Sequence, residues 1–185
     1  TIVKLAAEKI LRGEVLVVGA GIRTGLNIRI DNPAQLGSDL VVDSVAAIAG
    51  YPVPMLIFDM GTANTVCVID KNKNYVGGMI YPGVGVSLDS LTAHASQLGG
   101  ISLEPPEHMI GKNTAECMKS GIIYSSAAAI DGIIDRLSEE LEGDVTVIAT
   151  GGLAKKIIPF CRREIILDDN LLLKGLEIIY RKNRK

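Results

Sequence analysis

Val53-Pro54-Met55-Leu56-Ile57-Phe58-Asp59-Met60-Gly61-Thr62-Ala63-Asn64-Thr65-Val66-Cys67-Val68-Ile69-Asp70 sets two short apolar runs on either side of an Asp-Met-Gly-Thr turn. The first run is bounded by prolines, and the second leads into the turn-rich Lys71-Asn72-Lys73-Asn74 and then Tyr75-Val76. The pattern predicts strand, tight turn, strand, turn, strand. An Asp that ends a strand before Gly and Thr offers a carboxylate for a cation, a backbone that a phosphate can approach, and a hydroxyl donor. A nucleotide phosphate site has those properties. So does an ordinary hairpin turn, and this segment by itself leaves both readings open.

Working outward, the predicted helices cover 2–12, a stretch from Asn32-Pro33 to about Ala49 broken near Gly37, 86–98, 114–142, 153–160 and 170–182. Asn32 before Pro33 suits a helix start, and Asn113 with Glu116 three residues on suggests a capping box. Strands are predicted at Val15–Val18, 54–59, 64–69, 75–80, 145–149 and 165–167, with loops at 22–31 and 99–112. Three strands followed by helices alternating with strands imply an α/β fold, a mixed sheet with helices packed over it.

Composition narrows the function classes. The 185 residues can bury a sizeable core. A net charge of −2 gives no electrostatic footprint for nucleic acid, and the absence of Trp argues against a base-stacking surface. Cys67, Cys117 and Cys161 are odd in number and widely spaced, which favours a reducing, cytoplasmic setting over a disulfide framework. The apolar window Leu40–Phe58 contains Asp43, Gly50, Pro52 and Pro54. A central Asp costs about 2.5–3.5 kcal/mol on insertion, so the window reads as helix then buried strand, and no membrane partner is expected. The chain opens on Thr1 inside an amphipathic run, as though an upstream portion were missing.

Three further motifs could carry chemistry. Thr150-Gly151-Gly152 follows a buried strand and opens a helix, where a ligand could reach backbone N–H groups. Simple strand-to-helix packing would account for the same glycines. Asp39 in Gly37-Ser38-Asp39 could orient or deprotonate an attacking hydroxyl, or merely cap the next helix. Gly111-Lys112-Asn113-Thr114 could be only a cap, with Thr114 keeping spare donor capacity. His94 and His108 have no partner at metal-ligand spacing.

Taken together, the ordered segments Gly25–Pro33, Gly37-Ser38-Asp39, Asp59-Met60-Gly61-Thr62, Tyr75–Gly78, Pro82–Ser87, Gly111–Thr114, Ser120-Gly121, Ala149–Ala154 and Gly175-Leu176 resemble the type III pantothenate kinases. These belong to the acetate and sugar kinase/Hsp70/actin superfamily. The resemblance implies an actin-like (ribonuclease H-like) fold. Residues 1–50 would be the tail of an N-terminal lobe with the acceptor segment, and 51–185 the C-terminal lobe of a two-lobe kinase. It implies phosphorylation of pantothenate by ATP on the way to coenzyme A, with Mg2+ and a monovalent cation (K+ or NH4+), by a homodimer whose acceptor site lies near the dimer interface. Carried over by motif, Asp39 is the catalytic base, and Gly37, Ser38, Asp39, Leu40 and Thr114 line the acceptor site. Gly61, Thr62, Gly151 and Gly152 bind ATP, and Asp59 holds the monovalent cation.

The chain departs from the family pattern in three places. Leu40 stands where Arg is expected, and Ile30 where Tyr is expected. The family's opening Asp-x-Gly-Asn-Thr phosphate loop has no counterpart. The expectation is therefore that the 185 residues alone do not turn over. A non-catalytic regulatory or nucleotide-binding relative is the alternative.

Overall fold

The computed structural model describes residues 2–95 and 98–184. Six strands form one mixed sheet in the order β1-β4-β3-β2-β5-β6. They are β1 (Asn27–Ile28), β2 (Met55–Met60), β3 (Ala63–Ile69), β4 (Asn74–Pro82), β5 (Thr146–Thr150) and β6 (Ile166–Leu167). The strands β2, β3 and β4 are antiparallel neighbours, whereas β1 joins β4, β5 joins β2, and β6 joins β5 in parallel. Among the described residues the α-helices are α1 (Ile2–Leu11), α2 (Ser38–Gly50), α3 (Val84–His94), α4 (Thr114–Glu140), α5 (Ala154–Ile157) and α6 (Leu171–Asn183), with short 3-10 turns at Pro33–Gln35 and Ile158–Phe160. The expected mixed sheet flanked by helices is what is found.

The central position of β2 explains its sequence. Met55, Leu56, Ile57 and Phe58 are buried in succession because β3 and β5 flank the strand and helices cover both faces. Burying one such side chain stabilises the fold by about 1.5–3 kcal/mol. Alternation then sorts the faces. Leu56, Phe58 and Met60 pack with Ile123, Ala127, Ile130 and Ile134 of α4. Met55 and Ile57 pack with Ala46 and Ala47 of α2 and with Cys67 and Ile69 of β3. Asp59 continues that second face at its upper end. Glycine permits the close approach of α6 to α2, since a Cβ on Gly175 would run into the Val42 carbonyl.

The turn between β3 and β4 is built by one carboxylate. Asp70 accepts from the Asn72 and Asn74 backbone N–H groups at 2.9 and 2.8 Å, and from Asn74 Nδ2 at 2.7 Å. At the head of α4, Asn113 caps as predicted by accepting from the Glu116 N–H at 2.9 Å. The reciprocal half of the capping box is absent, because Glu116 instead accepts from the Glu107 N–H at 2.9 Å and pairs with Lys119 at 3.3 Å. Glu116 thereby ties the loop before α4 to the helix.

Two expectations at the start of the chain differ from the structure. Val15–Val18 carries no regular secondary structure and joins no ladder among the described residues, and Val17 is half exposed. Strand composition does not make a strand without a neighbour for its N–H and C=O groups. Helix α1 forms as predicted, yet none of its residues is buried, and Ile2, Leu5 and Ile10 stand in solvent. Further along, the predicted helix 86–98 begins earlier, at Val84 after Gly83, and its last turn is at His94. Ser96 and Gln97 of that prediction lie outside the described residues.

Candidate functional site

The sheet register places the two glycine turns side by side. Asp59 of β2 pairs with Thr150 of parallel β5 and with Thr65 of antiparallel β3. The turn Gly61-Thr62 therefore leaves the same sheet edge as Gly151-Gly152. The Leu153 N–H donates to the Met60 carbonyl at 3.2 Å, which locks one turn to the other. Gly151 adopts φ +94°, and a Cβ there would lie 2.5 Å from Asp59 Oδ1 and 2.6 Å from the Met60 backbone N and O. Glycine is required at this position for both its conformation and its space. Gly83 closes the other side. Its N–H donates to the Thr62 carbonyl at 3.0 Å, and any Cβ would collide with the carbonyls of Gly61 and Thr62.

Asp39 lies on α2, the helix that covers the Asp59 face of the sheet. Gly37 is the N-cap of α2, so Asp39 sits in the first turn and is not itself the cap. The helix dipole favours a carboxylate there. Its side chain is exposed and takes no hydrogen bond among the described residues. It lines a groove of about 550 Å³ together with Ile30, Leu36, Gly37, Leu40, Thr65 and Ile80. Two of the three departures from the family pattern, Ile30 and Leu40, therefore lie in this groove, and among the described residues its charged lining is Asp31 and Asp39. Ser38 is the first residue of α2. Thr114 is the first residue of α4, on the opposite face of the sheet, and no described contact joins it to Asp39.

One residue escaped the sequence reading. Asp43 lies one helical turn below Asp39 and is only 2% exposed. Its Oδ1 has no hydrogen-bond partner among the described residues. Burial, then the nearby carboxylates of Asp59, Asp39 and Asp168, push its carboxyl up to about 7. Asp59 is also raised, first by burial and then by the charge of Asp39. The charge of Asp39 is thus felt at Asp59, the residue paired with Thr65 of the groove wall. The available signal in the sequence was the i, i+4 spacing of Asp39 and Asp43, which sets both on one face of the helix.

Asp168, the third neighbour of Asp43, is fully engaged. It accepts from Tyr51 Oη at 2.8 Å, Lys174 Nζ at 2.6 Å and the Asn170 N–H at 3.1 Å. Burial opposes its charge, but the hydrogen bonds from Lys174 and Tyr51 hold it below the usual carboxylate range. Under Asp43, burial pushes the Cys67 thiol up to about 12, with Tyr75 and Ser44 alongside. No three Asp, Glu, His or Cys side chains among the described residues come together as a metal-binding set. Nor is any described helix long and apolar enough to cross a membrane.

An acid at a helix head beside an open groove, and two glycine turns at one end of the sheet, are parts that phosphoryl transfer can use. The sequence pattern of the family described as type III pantothenate kinase matches residues 1–136. The chain belongs to that family. A type III pantothenate kinase of Bacillus cytotoxicus is 44% identical over 176 residues, covering 95% of this chain and 67% of its own length. One from an Exiguobacterium species is 45% identical over 170 residues, covering 92% and 66%. The chain thus spans about two thirds of the length of these relatives. Among solved structures, a Campylobacter jejuni protein described as a Baf family transcriptional activator superposes with a TM-score of 0.57 at 20% identity, over 86% of this chain and 70% of that one. That likeness concerns the fold alone.

Proposed function

We propose that this chain carries the acceptor groove and one phosphate-binding edge of an enzyme that transfers the γ-phosphoryl group of ATP to pantothenate, giving 4'-phosphopantothenate for coenzyme A synthesis. The reading is supported by the unpartnered Asp39 carboxylate, which lines a groove walled by Thr65, the residue paired with Asp59 beside the two glycine turns. Asp39 orients the acceptor hydroxyl and takes its proton as the oxygen attacks. Gly37, Ser38 and Leu40 shape the groove, and Thr114 completes the acceptor contacts in the assembled homodimer. Gly61 and Thr62 meet the phosphates, while Gly151 and Gly152 lie against adenosine.

The Asp39 and Asp59 carboxylates and the Thr65 hydroxyl offer oxygens, which suit hard cations. Mg2+, carried in with ATP, offsets charge on the transferred group. Asp59 takes a monovalent cation, K+ or NH4+. The rest of the catalytic effect is positioning in a site whose backbone is fixed by the Gly83 and Leu153 hydrogen bonds.

The test is a coupled assay of the complete gene product with ATP, Mg2+, pantothenate and K+. Replacing Asp39 by Asn should lower kcat by about 10²-fold or more, with a much smaller change in KM. Equal turnover by both proteins refutes the assignment.

A further inference from the structure

The groove of about 550 Å³ beside Asp39 is apolar and acidic at once. Ile30, Leu36, Leu40, Met79 and Ile80 form its apolar walls. Gly77 and Gly78 leave the β4 side free of side chains, and Gly78 cannot be enlarged, because a Cβ there would run into the Val66 carbonyl. Asn32, Gln35 and Thr65 supply uncharged polar groups. The charged lining is Asp31 and Asp39, both exposed, and no Lys, Arg or His among the described residues lines the groove. Two cationic side chains of the surrounding segments are engaged elsewhere. Arg29, next to Ile30 in the chain, acts on Asp70, and Lys174 of α6 is bonded to Asp168.

We propose that this groove favours an acceptor alcohol that is uncharged beyond its hydroxyl end, so that an amide of pantothenate is a better acceptor than pantothenate itself. The proposal rests on the reading that the acceptor lies in this groove, and it goes further by naming the class of acceptor preferred there. Pantothenate carries its reacting hydroxyl at one end and a carboxylate at the other. With the hydroxyl at Asp39, the rest of the molecule lies along the apolar walls. A carboxylate there gives up water without gaining a cation from the lining, and it meets the negative charges of Asp31 and Asp39. A carboxamide carries no charge to repel, and Asn32 and Gln35 offer it neutral donors and acceptors. Leu40 and Ile30 are the side chains that set the preference, since they occupy groove positions where an Arg and a Tyr would serve a carboxylate. Selectivity of this kind comes from the repulsive groups as much as from the attractive ones.

The experiment compares pantothenate with its N-methyl amide, which differs only at the carboxyl end, in the coupled assay of the complete gene product with ATP and Mg2+. Isothermal titration of the same protein with each compound gives a second readout that does not depend on turnover. The amide should have a kcat/KM about tenfold or more above that of pantothenate, with most of the difference in KM. Leu40→Arg should invert the preference, and Leu40→Met, which changes shape without adding charge, should keep it. Ile80→Lys places a cation on the lining at a residue that is 75% exposed, where the fold is not at risk, and should shift the preference the same way as Leu40→Arg. Pantothenate used as well as the amide or better by the wild-type protein overturns the proposal, and so does a preference that neither Leu40→Arg nor Ile80→Lys alters. If neither compound is phosphorylated, the kinase reading falls and titration judges the groove: tighter binding of the amide upholds the preference, whereas tighter binding of pantothenate, or binding of neither, overturns it.

Discussion

Asp43→Asn should stabilise the protein, and the gain should depend on pH. The native fold raises the Asp43 carboxyl from an ordinary 3.8 to about 7, chiefly by burial and then by the carboxylates of Asp59, Asp39 and Asp168. In the unfolded chain this group ionises near its ordinary value, while in the native state it keeps its proton. Native stability is therefore lost as pH climbs from about 4 to about 7, and the loss levels off above that. At about 1.4 kcal/mol per pH unit, the rise corresponds to an upper limit of about 4 kcal/mol. Asn has nearly the same shape and stays neutral at every pH. Urea denaturation of both proteins in tetramethylammonium buffer at pH 4.5 and pH 8 measures the effect. The curves should nearly coincide at the lower pH, and the variant should lead by about 2–4 kcal/mol at the higher one. Parallel pH profiles for the two proteins in tetramethylammonium would refute the reasoning, since they would mean that Asp43 titrates alike in folded and unfolded states.

Other outcomes follow from the same geometry. Gly151→Ala should cost about 2–4 kcal/mol in denaturant titration, because it combines a positive φ with overlap onto Asp59 and the Met60 backbone. Gly175→Ala should cost about 1–3 kcal/mol by prising α6 from the Val42 carbonyl, again read by urea denaturation. Thiol labelling with Ellman's reagent at pH 8 should find exposed Cys117 reacting first, while Cys67 and Cys161, both pushed up to about 12 by burial, react only as the protein opens. Release of Cys67 at the same rate as Cys117 would contradict the packing of α2 over β3.

The sheet was legible because its central strands announce themselves. The short unbroken apolar run from Met55 to Phe58, bounded by prolines, reads as a strand covered on both faces, and the Asp70–Asn74 segment carries the side chains that build its own turn. The long helix α4 was legible from its cap and its periodicity, within about two residues at the C-terminal end. Val15–Val18 misled because a strand is defined by hydrogen bonds to a neighbour, and local composition cannot report whether one exists. The capping box was half right for a related reason, since Glu116 had a choice of donors and the Glu107 N–H, brought near by the loop, won.

At the site, Asp39, Asp59 and the glycines were visible as local motifs. That Asp59 and the glycine turns meet depends on register, which pairs Asp59 with both Thr65 and Thr150. Asp43 was passed over because it sits inside a helix whose neighbours Val41, Val42, Val45, Ala46 and Ala47 are all buried and apolar. A charge embedded in such a stretch is itself a signal, since burying one without a partner is costly. Thr65 gave no signal beyond its place in a strand. Only the structure shows that its hydroxyl is enclosed and unsatisfied.

The central claim is that nucleotide phosphates and the acceptor alcohol meet between Asp39, the Gly61-Thr62 turn and the Gly151-Gly152 turn. Paramagnetic broadening by Mn2+–ATP in amide NMR spectra tests it most directly. The account predicts that signals of Asp39, Gly61, Thr62, Gly151 and Gly152 vanish first, and that those of Tyr124, Asp131 and Arg163, which line a separate cavity of about 580 Å³ beside α4, persist. Selective loss of the α4 cavity signals with the sheet-edge glycines untouched would contradict it.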